Sequence, residues 1–134
     1  MSAFYDSNIL VYAFSTDFRR GRALTTIAAG GVISTQVLNE FTNVLRKKQK
    51  QDWPVIEAAV ASIRFRFPDI APLTADTHAA ALALARDHTL AFYDALIVAA
   101  AIESGCDTLY SEDLQHGRSI SGLTIVNPFL GISP

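Results

Sequence analysis

Asp6, Glu40, Asp94 and Asp113 are the residues of this chain whose type and spacing point most directly to chemistry. Asp6 ends the bulky run Phe4-Tyr5 and precedes Ser7-Asn8, where the pattern turns helical. It reads both as a helix N-cap that accepts backbone N–H bonds and as an acid at the carboxyl end of a strand. Glu40 lies on the flank of a helical face formed by Val37, Leu38, Phe41, Val44 and Leu45. The residues four positions away are Gln36 and Val44, so no helical ion pair accounts for it. Asp94 is the single charge between Asp87 and Glu103, and it opens the apolar run Ala95 to Ile102. A helix apolar on all sides is buried. Its N-terminus favours an anion, but an isolated charge at the mouth of a buried helix calls for a partner. Asp113 follows the run Thr108 to Ser111, with Glu112 beside it as a competing acid.

Carboxylates that converge on one cleft repel one another, and without compensation some are driven to stay protonated. A hard divalent cation resolves this, and oxygen donors suit Mg²⁺ or Mn²⁺. Such a cation activates water and binds phosphoryl oxygens, which is the chemistry of phosphodiester hydrolysis. His78, His88 and His116 have no zinc-site spacing, and Cys106 is the single cysteine. Two basic clusters accompany the acids: Arg19, Arg20 and Arg22, then Arg46, Lys47, Lys48 and Lys50. They read as solvated faces or as phosphate contacts for a nucleic acid.

These residues need elements to position them. Phe4-Tyr5-Asp6 ends a first strand, and Ser7 to Phe14 forms a helix. Gly30-Gly31 is a break before a strand at Val32-Ile33-Ser34. A helix is predicted from about Gln36 to Lys50, and another from Trp53-Pro54 to Pro68, since proline suits a first helical turn. Ile70 to Leu73 reads as a short strand or an extended connection. Thr74 caps an Ala/Leu-rich helix that reaches about Asp87. The apolar helix begins near Tyr93 or Asp94 and ends before Gly105. Thr108 to Ser111 and Leu123 to Val126 are the last strands. Strands separated by helices imply an α/β fold with a central parallel sheet and helices on both faces. In such sheets ligands gather beyond the carboxyl ends of strands.

The 134 residues suit one domain, 1–134, and 50% hydrophobic content supports a core without staples. One cysteine excludes an intrachain disulfide framework and fits a reducing cytoplasm. No secretory signal is visible at Met1-Ser2-Ala3-Phe4. The longest wholly apolar run, Ala95 to Ile102, is far short of the about 20 residues a membrane span needs. Charged residues at 18% exclude a disordered chain. The net charge of −2 excludes a uniformly basic coat, though not local patches. Trp53, Phe65 and Phe67 read as core, and Cys106 as a small buried residue.

Four segments resemble the PIN-domain family and, within it, the VapC-type toxins of bacterial toxin–antitoxin pairs. They are Phe4 to Tyr12, Ser34 to Phe41, Phe92 to Ala101 and Leu109 to Gly117, and Ile125 to Phe129 is similar as well. The match runs in order along nearly the whole chain. The resemblance implies a three-layer α/β/α sandwich around a parallel sheet. It also implies an endoribonuclease dependent on Mg²⁺ or Mn²⁺. Carried over by position, Asp6, Glu40, Asp94 and Asp113 form the acidic cluster, with Asp6, Asp94 and Asp113 as metal ligands and Asn8 and Ser111 as supporting polar residues. Ser7 and Ser111 stand where threonine is common, which preserves the hydroxyl. No clear further acid follows Asp113, so a second metal site is not implied. The family further implies a homodimer and a small antitoxin that covers the site.

Two other readings compete. One is an aspartate-nucleophile phosphatase, which wants a second acid where Asn8 stands and a lysine after Lys50, where none occurs. The other is a non-catalytic nucleic-acid-binding or regulatory module on the same fold, against which all four acids are present.

Overall fold

A computed structural model describes residues 2–134. Strand β1 (Ala3–Tyr5) carries Phe4 and Tyr5 fully into the core. Helix α1 (Ser7–Ala13) starts one residue later, with Asp6 as its cap. Helix α2 (Arg20–Ile27) precedes strand β2 (Ile33–Ser34). Helix α3 (Thr35–Asn43) is capped by Ser34, whose hydroxyl accepts the Val37 N–H at 3.2 Å. A π-helical turn, Val44–Lys48, continues α3, and helix α4 (Trp53–Arg66) follows with Pro54 in its first turn. Strand β3 (Ile70–Ala71) leads to helix α5 (Ala75–His88), capped by Thr74, and then helix α6 (Phe92–Glu103). Strands β4 (Thr108–Tyr110), β5 (Ser119–Ile120) and β6 (Leu123–Val126) close the chain.

The sheet runs β1-β4-β6-β5. β1 pairs parallel with β4, with Tyr5 opposite Tyr110, and β4 pairs parallel with β6. β5 alone is antiparallel, folded back on β6. The parallel pair β2–β3 joins the other side of β1 through a bridge between Phe4 and Val32. This places β1 inside the sheet, with neighbours on both sides. Gly31 makes that approach possible: at φ +146°, a Cβ there would lie 2.4 Å from the Ala3 carbonyl oxygen. The mixed α/β class with a central, mostly parallel sheet is the one the residue pattern predicts. α6 is buried from Ala95 to Ala101 on all sides, as its composition requires. Among the described residues, no helix is long and apolar enough to cross a membrane.

Three local expectations are corrected. The helix expected from Gln36 to Lys50 is α-helical only through Asn43 and then widens into the π-helical turn. Residues 20–27, read only as a basic cluster, form α2. Trp53 and Phe65 are not core: they are 52% and 91% exposed, whereas Phe67 is fully buried. Ile56, Ala59, Ile63 and Phe67 recur at helical spacing and take the inward face of α4, which turns Phe65 outward. Trp53 instead stacks under Arg46, whose guanidinium carbon lies 4.5 Å from the ring centre. Cys106 is buried, as expected, and its sulfur accepts from the Ser2 hydroxyl.

Candidate active site

β1 and β4 end in register, so the residues that follow them meet at one lip of the sheet. Asp6 continues the ladder by donating its N–H to the Tyr110 carbonyl at 2.9 Å. Its side chain is 2% exposed. Oδ1 accepts the Ser7 N–H at 2.7 Å, which is the capping bond. Oδ2 accepts the Ser111 hydroxyl at 2.7 Å. The cap reading and the acidic-site reading of Asp6 therefore describe one side chain. Burial pushes its carboxyl up to about 7; the Ser111 and Ser7 donors oppose the rise, and the charges of Glu40 and Asp94 add to it.

Glu40 projects from α3 toward the same point and is half-buried. Oε1 accepts the Ser7 hydroxyl at 3.1 Å and Oε2 accepts the Gln36 amide at 3.0 Å. The Ser7 hydroxyl is also 3.4 Å from Asp6 Oδ1. With one proton to give, it serves one of the two carboxylates at a time. Burial raises the Glu40 carboxyl, Gln36 and Ser7 lower it, and the charges of Asp94 and Asp113 raise it. Asp94 stands half-buried in the first turn of α6 and is raised by burial and then by Asp113. Asp113 is exposed on the turn after β4. Charge coupling thus links Asp6 to Glu40 and Asp94, Glu40 to Asp94 and Asp113, and Asp94 to Asp113. None of them joins a salt bridge among the described residues.

A cleft of about 520 Å³ opens here, lined by Ser7, Asn8, Glu40, Lys48, Glu112 and Asp113 among others. A larger cavity of about 920 Å³, bounded by Leu10, Phe14, Arg20, Leu24, Ile63 and Arg66, holds no carboxylate. Of the two, the smaller is the one lined by carboxylates, those of Glu40, Glu112 and Asp113. Asn8 Oδ1 accepts the Glu112 N–H at 3.3 Å, which fixes the amide and aims its NH₂ elsewhere. That nitrogen is buried without a hydrogen-bond partner among the described residues.

The basic residues divide. Arg19 is paired with Asp17 and Glu112. Arg22 donates to the Pro128 carbonyl, and Arg46 to the Gln51 carbonyl. Arg20 borders the larger cavity, and Lys47 and Lys50 are exposed. Of the two clusters, Lys48 is the member that lines the acidic cleft, delivered there by the π-helical turn. Gln36 partners Glu40, while Tyr12 and Arg19 partner Glu112, pairings that the residue pattern alone does not single out. The four-residue spacing of Gln36 and Glu40 was a visible signal for the first; the other two depend on contacts about a hundred residues apart.

The donor set fits a hard cation: carboxylate oxygens, without histidine or cysteine, whose mutual charge is unbalanced. Among the described residues, no group of three or more His, Cys, Asp or Glu is close enough to hold an ion by direct bonds. Mg²⁺ characteristically keeps several waters and binds through one or two carboxylates plus substrate phosphates. A looser ring of acids suits that mode.

A family model described as PIN domain matches residues 3–118. No curated protein matches the sequence. Among solved structures, the chain is similar to a toxin–antitoxin complex from Klebsiella pneumoniae, at 26% identity over 95% of this chain and 98% of that one, with a TM-score of 0.70. It is similar to the sarcin–ricin-loop-cleaving VapC toxin of Mycobacterium tuberculosis, at 24% identity over 84% and 90%, TM-score 0.69. It also shares the fold of the VapBC complex of Rickettsia felis bound to promoter DNA, at 20% identity over 93% and 97%, TM-score 0.69.

Proposed function

The chain belongs to the PIN domain family, and from that premise we propose that it is a metal-dependent endoribonuclease that hydrolyses RNA phosphodiester bonds as the toxin of a toxin–antitoxin pair. The family consists of nucleases that generally use divalent metal ions. The observation that carries the reading is the cluster of four acids linked by charge coupling, which includes a buried, hydrogen-bonded Asp6. Residues 1–134 act in this proposal as a single PIN-like domain, in the cytoplasm and as a homodimer. An antitoxin partner follows from the similarity to toxin–antitoxin complexes. The partly apolar cavity, with Phe14 and Leu24 exposed at its edge, offers such a partner a surface.

In this mechanism Asp6, Asp94 and Asp113 hold Mg²⁺ or Mn²⁺, directly or through water. A bound divalent cation supplies Lewis acidity, lowering the pKa of water and offsetting charge on phosphoryl oxygens. Ser111 fixes one oxygen of Asp6 and the Ser7 N–H fixes the other. Glu40, raised by burial and held by Gln36 and Ser7, is placed to accept the proton of the attacking water. Lys48, which lines the cleft, supplies a cation for phosphate oxygens, and Asn8 holds the Glu112 N–H in place. The phosphatase reading is disfavoured because Asn8 stands where that chemistry wants a second acid and no lysine follows Lys50.

The test is RNA cleavage by purified wild type and Asp94→Asn, each with Mg²⁺, Mn²⁺ or a chelator. Metal-dependent cleavage by wild type alone supports the proposal. Binding of Mn²⁺ without turnover on any RNA would favour the non-catalytic module. Equal traces of cleavage from both proteins would mark contamination and remove the support.

A further inference from the structure

Glu112 and Asp113 are adjacent acids on one turn, and both line the acidic cleft. Their surroundings separate them. One Glu112 oxygen accepts the Tyr12 hydroxyl at 2.5 Å, and the other accepts Arg19 Nη1 at 2.9 Å. Arg19 is itself locked. Its Nε and Nη2 donate to the two oxygens of Asp17 at 2.8 and 3.0 Å. Its guanidinium carbon lies 4.2 Å from the centre of the Tyr12 ring and 4.7 Å from that of Phe18. A planar fork that is bidentate to one carboxylate, bonded to a second and stacked on two rings is a geometry that lysine cannot reproduce. The Glu112 N–H is also tied, to Asn8 Oδ1. Asp113 joins none of the salt bridges among the described residues and is exposed.

Resting on the reading of the cleft as a cation-binding nuclease site, we propose that Arg19 and Tyr12 are positioning residues that hold the Glu112 carboxylate out of the metal-binding ring, so that Asp113 is the acid this turn presents to it. The clamp pairs the Glu112 charge with the Arg19 guanidinium, which no carboxylate of the ring has, and anchors one oxygen on Tyr12 and the other on Arg19. It also ties the turn after β4 to α1 and to the α1–α2 connection. Released, Glu112 has the longer side chain and the same cleft in front of it. It would then add a fifth carboxylate to the ring and compete with Asp113. The expected result of release is tighter but misplaced cation binding, with slower cleavage. Simple loss of structure would weaken both.

The test titrates Mn²⁺ alone into the whole protein by calorimetry and measures RNA cleavage beside it. The proteins are wild type, Arg19→Met, Glu112→Gln, the double variant and Asp113→Asn. Arg19→Met should bind Mn²⁺ several-fold more tightly yet cleave about tenfold or more slowly. Adding Glu112→Gln to it should return the Mn²⁺ affinity to the wild-type value. Glu112→Gln alone should keep that affinity, while Asp113→Asn loses it. If Arg19→Met fails to fold, the comparison of Glu112→Gln with Asp113→Asn carries the test. Weakened Mn²⁺ binding in Glu112→Gln would overturn the clamp and leave the nuclease reading intact. Unchanged binding and cleavage in a folded Arg19→Met would overturn it too. A wild type that neither binds Mn²⁺ nor cuts RNA would overturn the nuclease reading and the clamp with it.

Discussion

The Ser111 hydroxyl donates to Asp6 Oδ2 at 2.7 Å and accepts the Leu114 N–H at 3.3 Å. One buried hydroxyl thus fixes an acid on the lip of β1 and shapes the turn that carries Asp113. The arrangement follows from strand register: Tyr5 lies opposite Tyr110, so the next residue of each strand stands beside the other.

Ser111→Ala removes a buried hydrogen bond to a carboxylate and leaves the Leu114 N–H without its acceptor. Its cost should be about 2 kcal/mol, the range for bonds to charged groups. A urea titration near neutral pH measures this, and RNA cleavage should fall with it. Ser111→Thr keeps the hydroxyl and should retain most of both.

Asp94→Asn should cleave RNA at least about 100-fold more slowly, since a lost cation ligand removes several kcal/mol of transition-state stabilisation. The protein should remain folded by circular dichroism. In chelator its thermal midpoint should rise, because a half-buried charge that repels Asp113 is gone. A falling midpoint would instead mark Asp94 as a structural first-turn residue of α6.

Stability in chelator should decline as pH rises from about 5 to about 8. The Asp6 carboxyl is raised to about 7 in the folded protein, and those of Glu40 and Asp94 are raised as well. The folded state therefore binds more protons than the unfolded state across that interval. The stabilising contribution is complete below the unfolded pKa, near 4, and is lost as pH passes the folded value. Asp17 and Asp87 are shifted downward, so their effect falls below this interval. Urea midpoints at several pH values check the slope, and added Mg²⁺ should flatten it by favouring the ionised acids.

Lys48→Ala should reduce the salt dependence of RNA binding by about 0.7 in log–log slope, the value for one contact to a single strand. The measurement belongs in an Asp94→Asn background, where substrate survives. Arg46→Ala should change the slope less, because that guanidinium is engaged by Gln51 and Trp53.

The sequence made the acids legible because each sits at a boundary between elements with clear local signals. Phe4-Tyr5 before Asp6, and the unbroken apolar run after Asp94, place two of them without any long-range information. α2 was hidden because its residues RGRALTTI bury only Ala23 and Ile27, too sparse a face to show as periodicity. β5 has two residues and exists through its pairing with β6. The exposure of Phe65 reflects which face of α4 turns into the core, a choice made by the packed fold. Arg19 reads as one member of a basic cluster until Glu112, 93 residues away, comes to meet it.

The position of β1 between β2 and β4 carries a consequence for how the protein comes into being. β1 is an inner strand, and its carboxylate-bearing lip stays unfinished until β4, more than a hundred residues further along, pairs with it. Ser111 and Asp113 both follow β4 in the chain. A nascent chain therefore lacks the partner that holds Asp6 and the acid that completes the ring. The acidic lip is thus assembled by closure of the β1–β4 ladder and by no local segment alone.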